Sequence, residues 1–143
     1  MMSREAKHTP YEGLTDLLAA RVPELREQID AVRHLSEADV PGQHVVYGDI
    51  LVPYLVTLLK ASYDAEDLQE LFALIEELAK NPDVHVQEVV AYTILEGLLG
   101  ESLLAKARPF FGPATLALST DVEEFWARVR AAQDQKPSGL DRD

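Results

Sequence analysis

The sequence predicts an all-α fold of five to seven helices arranged in antiparallel hairpins, either a HEAT-like α-superhelix or an irregular helical bundle. Three observations predict it. Apolar residues recur at three- and four-residue steps along most of the chain, strand-type alternation is nearly absent, and Pro, Gly or Asn-Pro punctuates the periodic runs. The chain has 143 residues, 47% of them apolar, and no cysteine. That length suits one domain that buries a core without disulfides or metals. Residues 1–10 are expected to fray, residues 11–134 to form a single helical domain, and residues 135–143 to form a mobile tail.

The first periodic run extends from about Gly13 to Leu35, with Leu14, Leu17, Leu18, Val22, Leu25, Ile29 and Val32 recurring on one side. Pro23 interrupts it, so a kink or a junction of two helices is expected there. Residues 36–44 read as loop around Pro41-Gly42. A second helix runs from about Val46 to Ser62 and carries Ile50, Leu51, Leu55, Leu58 and Leu59. Pro53 lies in its first two turns, so the helix either starts near Leu51 or bends there.

Asp64 is expected to cap a third helix, Ala65 to Lys80, whose buried stripe is Leu68, Leu71, Phe72, Ile75, Leu78 and Ala79. Asn81-Pro82-Asp83 ends it. A fourth helix spans about Val84 to Leu99 with Val86, Val89, Val90, Ile94, Leu95 and Leu98 inward, and Gly100 is expected to stop it in a left-handed conformation. A fifth begins over Glu101 to Lys106 and breaks at Arg108-Pro109. A short helix over residues 114–118 is expected next. Thr120 or Asp121 is then expected to cap a last helix through Gln133, with Val122, Phe125, Trp126 and Val129 as its apolar face.

The segment Leu68 to Leu99 resembles one HEAT-type repeat. Leu71, Ile75 and Leu78, then Asn81-Pro82, then Val86, Val90, Ala91 and Leu95 match its order, while Gln87 stands where the repeat usually has a basic residue. The rest of the chain is only loosely periodic. More broadly, Val46-Tyr47-Gly48-Asp49-Ile50, Ile94 to Leu99, Phe111 to Thr115 and Phe125-Trp126 resemble segments of small acidic helical bacterial proteins, some of which act as immunity proteins beside secreted toxins. The resemblance implies a helical fold and a toxin-neutralising role.

The net charge is −12. Between Glu37 and Glu101 there are 13 acidic residues against Lys60 and Lys80 alone, a balance of −11, so the charge is concentrated in the middle of the chain. Such a field repels nucleic acid and anionic membranes and attracts a basic partner, although solubility alone is also served by it. Residues Met1 to His8 hold no apolar stretch of the kind a secretory signal needs. The longest apolar run, Ile50 to Leu59, contains a proline and is too short to span a bilayer. The expectation is a cytoplasmic protein that takes no cofactor.

Chemistry-bearing motifs are sparse. His8, His34, His44 and His85 show no three- or four-residue spacing and no HExxH, so a metal site would need distant residues to converge. Phosphate-binding glycine loops and a nucleophile elbow are absent from the sequence. Two acidic stripes stand out instead. Glu66, Glu70 and Glu77 share a face of the third helix; Glu88, Tyr92 and Glu96 recur every four residues on the fourth. Tyr47 and Tyr54 lie seven apart on the second helix, with Asp49 nearby.

If the hairpins stack in parallel, Tyr47, Asp49, Tyr54, Glu88, Tyr92 and Glu96 gather into one acidic, aromatic patch. In the plainer reading, Tyr47 and Tyr54 are half-buried packing residues with wet hydroxyls and the glutamates are a solvated face. Phe110, Phe111, Phe125 and Trp126 are expected to close the core. These observations point to a protein-binding module rather than an enzyme. In its most concrete form it is an immunity-type inhibitor covering the basic cleft of a nuclease-type toxin. The alternative is a small helical scaffold or adaptor with no toxin partner.

Overall fold

Proline sets the first boundary. Helix α1 (Leu14–Arg21) follows a 3-10 turn at Tyr11–Gly13, and Val22 leaves helical geometry (φ −128°, ψ 80°) just ahead of a second 3-10 turn, Pro23–Leu25. The residue before a proline is disfavoured in the α region, so the periodic run becomes two helices, and α2 (Arg26–Leu35) begins afresh. An Arg33–Asp16 ion pair ties α2 back to α1. The structure, a computed structural model, describes residues 8–35, 43–61 and 65–135. Residues 36–42 of the loop expected over 36–44, the Asp64 cap and most of the two expected mobile ends lie outside the described residues, while Gln43 and His44 at the end of that loop are already helical.

Helix α3 (Gln43–Ala61) is continuous through Pro53. It opens as an α turn, widens into a π-helical segment at Tyr47–Leu51, where the Val52 N–H reaches the Tyr47 carbonyl, and returns to α geometry over Val52–Ala61. A proline inside a helix has no N–H and its ring crowds the carbonyl four residues back. A wider turn just before Pro53 lets the helix absorb both costs, so it neither starts at Leu51 nor breaks. By length and composition alone α3 could cross a bilayer, a test that core helices also pass. Its Leu51, Leu55 and Leu59 are buried in the bundle.

Helix α4 (Ala65–Ala79) and helix α5 (84–100) meet at a turn built on Asn81. The Asn81 side chain donates to the Thr9 carbonyl (2.7 Å) and accepts from the Asp83 N–H (2.9 Å), while Gln87 donates to the Asn81 carbonyl (2.7 Å). Asp83 caps α5 through the His85 N–H (2.9 Å). A second π segment, Val89–Leu95, widens the middle of α5, and Val89, Val90, Ala91, Ile94 and Leu95 are all buried there. The two π segments pack against each other. Below them a Cβ on Gly97 would stand 3.0 Å from Cγ1 of Val52, so a glycine here permits the α3–α5 approach.

Helix α5 ends differently from expectation. Gly100 stays helical, and Ser102 takes the left-handed conformation (φ 61°). The Ser102 N–H bonds the Leu99 carbonyl (3.0 Å) and the Leu103 N–H bonds the Leu98 carbonyl (2.9 Å), a Schellman motif closed by buried Leu98 and Leu103. A side chain in this conformation costs free energy that glycine does not. Ser102→Gly should therefore raise stability by about 0.5–1 kcal/mol, read as a higher urea midpoint with an unchanged slope.

Helix α6 (Leu104–Ala107) is a single turn that runs into a 3-10 turn at Arg108–Phe110. Helix α7 (Pro113–Gln135) is then one uninterrupted helix of 23 residues, not a short helix followed by a capped one. Thr120 sits inside it and donates back to the Leu116 carbonyl (3.1 Å). The cap that starts α7 comes from outside the helix. The Glu76 carboxylate, on α4, accepts from the Ala114 N–H (2.9 Å), the Thr115 N–H (2.9 Å) and the Thr115 hydroxyl (2.8 Å). Burial opposes charge on Glu76, but these three bonds outweigh it and hold the carboxyl below the usual carboxylate range.

Among the described residues there are seven helices and no strand, an all-α fold. The core lies where α1, α3, α4 and α5 converge on Leu14, Leu18, Leu55, Phe72, Ile75, Val90 and Ile94. Helix α7 packs across α4 and the π segment of α5, and Phe72 stacks near Phe110 and Phe111.

Candidate functional site

The residues singled out in the sequence separate in space. Tyr47 is a core residue: its side chain is 0% exposed and its hydroxyl donates to the Leu14 carbonyl (2.8 Å). Burial pushes its phenol well above the usual range. It is neither a surface contact nor a half-buried ring with a wet hydroxyl. Seven residues close two α turns, but the π segment between Tyr47 and Tyr54 shifts the register, so the two rings do not share a face.

Tyr54 is half-buried and joins Glu70 at a pocket of about 250 Å³ between α1, α3 and α4, beside Arg21, Glu24 and Asp67. Glu77, on the same helix, is engaged elsewhere. Arg21 grips it with two bonds (3.0 and 2.9 Å), and that hydrogen bonding holds its carboxyl below the usual range. Both partners are well exposed, so the pair contributes no more than about 1 kcal/mol. Glu66 and Asp49 are exposed and line neither this pocket nor the groove described next. Glu88 faces His85 (3.6 Å). The single patch of Tyr47, Asp49, Tyr54, Glu88, Tyr92 and Glu96 is therefore not formed.

Tyr92 and Glu96 do meet, at a groove of about 530 Å³ between α5 and α7. Tyr92 stands on the α5 wall and is 58% exposed. Facing it on α7 are Leu118, Val122 and Phe125, at positions i, i+4 and i+7 of one helix stripe. Phe125 is 46% exposed, so it lines the groove instead of closing the core. Its neighbour turns the other way. Trp126 is half-buried, meets Phe125 edge-on (5.3 Å between centroids, 84°) and donates its indole N–H to Glu96 (2.8 Å). Glu96 thus bridges the two walls through Trp126.

Asp121 and Glu124 add carboxylates to the rim and Arg128 adds one cation. With Glu96 the rim carries three negative charges against one positive. This is an apolar, aromatic floor within a mostly acidic border. Its volume falls within the roughly 300–1,000 Å³ typical of binding clefts. The α7 half was missed in the sequence. Its signal was the Leu118, Val122, Phe125 spacing with Asp121 and Glu124 alongside, which is visible only if residues 113–135 are read as one helix.

A second polar cluster lies near the start of α3. Tyr11 sits between His44 and His85, with ring centroids 6.4 and 6.1 Å away, and His44 Nδ1 meets the Thr93 hydroxyl. No group of three or more His, Cys, Asp or Glu that could hold a metal ion occurs among the described residues.

Comparison with known proteins found no curated protein and no solved structure that matches the chain. A family profile does match, over residues 15–127, a span that takes in the core helices and both walls of the groove apart from Arg128. The chain belongs to the family described as Domain of unknown function (DUF7674).

Proposed function

We propose that this chain is a protein-binding module whose partner presents a basic surface. In its most specific form it is an immunity-type inhibitor that covers the basic cleft of a toxin, with a nuclease as the toxin class that fits the charge. The observation that carries the reading is the α5–α7 groove, where Tyr92 and Phe125 stand exposed inside a mostly carboxylate border. Exposed aromatics cost free energy in water and gain it when a partner covers them, and such anchors carry most of the energy of protein interfaces. The net charge of −12 speeds encounter with a cationic partner and slows encounter with nucleic acid or anionic lipid.

The division of labour follows from these magnitudes. Exposed charges are each worth a fraction of a kcal/mol and are screened within about 8–10 Å at physiological salt. A buried aromatic anchor is worth about 2 kcal/mol or more. Charge therefore governs the on-rate and the groove governs residence.

The test is recovery of the native partner. A tagged chain expressed in its own cell should retain a protein of net positive charge, whose rate of association falls several-fold as salt rises from about 0.1 to 0.5 M. In the toxin form, the purified chain should stop that partner's activity at equimolar ratio. Recovery of no partner above background, or of an acidic partner indifferent to salt, contradicts the reading.

A further inference from the structure

The groove also restricts what can occupy it. Among the described residues every element is helical, so there is no strand edge to which an extended peptide can add. Recognition must then come from side chains, and a groove between two helices suits a third helix that lays down an apolar stripe. The apolar floor of Leu118, Val122, Phe125 and Tyr92 selects that stripe. Glu96, Asp121 and Glu124 select cations beside it, and Arg128 places one repulsive point for a basic segment at the C-terminal end of the α7 wall.

We infer that the occupant of the α5–α7 groove is an amphipathic helical segment of the partner, carrying an apolar anchor flanked by Lys or Arg. This rests on the protein-binding reading above and names the partner chemistry. The chain carries its own reporter, because Trp126 is its one tryptophan. A cation that engages Glu96 competes with the Trp126 N–H for that carboxylate, and an anchor beside Phe125 changes the surroundings of the indole.

The probe is a Trp-free Leu/Lys peptide of about 15 residues, enough for four turns, with its leucines on one helical stripe. It should shift Trp126 emission saturably. Affinity should fall about thirtyfold in Tyr92→Ala and in Phe125→Ala, and stay unchanged in Glu12→Gln, which removes a charge outside the groove. Both aromatics are largely exposed, so either truncation leaves the fold intact; helical circular dichroism checks this.

Equal binding by a peptide of the same composition with its stripe scrambled overturns the inference. So does preference for a proline-rich peptide or for the Leu/Glu counterpart. Concentration-dependent dimers that Phe125→Ala abolishes would make a second copy the occupant and overturn it too. A native partner still captured by both alanine variants overturns the groove assignment while leaving the protein-binding reading standing. Capture of no partner by the wild-type chain overturns that reading as well.

Discussion

Tyr47→Ala should lower the free energy of unfolding by about 3–5 kcal/mol, a large share of the roughly 5–15 kcal/mol that a domain has. Two losses combine. The ring is fully buried between α3 and α1, so truncation leaves a cavity in a packed core. Its hydroxyl is also the partner of the Leu14 carbonyl at 2.8 Å. Tyr47→Phe isolates the second loss and should cost about 1 kcal/mol, the net worth of one buried hydrogen bond, because the Leu14 carbonyl keeps its partner within α1. Urea unfolding followed by circular dichroism reads both values.

The same residue gives an alkaline signature. Burial raises the folded pKa of the Tyr47 phenol, so the folded state keeps its proton where the unfolded state, titrating near pH 10, loses it. Its contribution is intact below about pH 10 and declines as pH rises beyond that. Tyr47→Phe should show a shallower alkaline limb.

Glu76→Ala should cost about 2–3 kcal/mol, because one carboxylate satisfies three donors at the start of α7. Glu76→Gln keeps an acceptor but loses the charge that the helix N-terminus favours, and should cost about 1–2 kcal/mol. Gly112→Ala reaches the same contact from the other side. A Cβ there would collide with the Glu76 carboxyl, which is pinned and cannot swing away cheaply. Acid should act likewise. The folded pKa of Glu76 is depressed, so its contribution is full above the unfolded value near 4.3 and is lost as pH falls through the folded one. The alanine variant should therefore have a flatter acid limb. Each of these changes loosens α7, which is one wall of the groove, and should weaken partner capture more than its distance from Phe125 suggests.

Helix positions were legible in the sequence because period and punctuation agree. The Leu71, Ile75, Leu78 stripe, the Asn81-Pro82-Asp83 turn and the Val86, Val90, Ile94 stripe all fall where the spacing puts them. What stayed hidden was decided at long range. The cap of α7 comes from Glu76, 38 positions before Ala114, so Thr120 and Asp121 looked like the start of a helix that was already under way. Ser102, not Gly100, turns left-handed because Leu103 must fold back over Leu98. Neither π segment has a sequence period of its own; one precedes Pro53, and the apolar spacing along α5 does not mark the other.

The candidate site was half legible for the same reason. The Glu88, Tyr92, Glu96 spacing correctly placed Tyr92 and Glu96 on one side of α5. The partner wall was hidden because adjacent Phe125 and Trp126 both read as core. On one helix, adjacent side chains diverge by about 100°, so both cannot face inward fully. Here Trp126 packs toward Glu96 and Phe125 is left in the groove. Tyr47 failed as a surface residue because counting by sevens assumes α geometry throughout α3.

The most direct measurement is hydroxyl-radical footprinting of the full chain, alone and in complex with its native partner, read at individual side chains. Tyr92 and Phe125 should be labelled readily in the free chain and strongly protected in the complex, with Tyr47 unlabelled in both. Protection confined to the Tyr54 and Glu70 pocket, with Tyr92 and Phe125 equally reactive in both states, would contradict the assignment of the α5–α7 groove as the partner-binding surface.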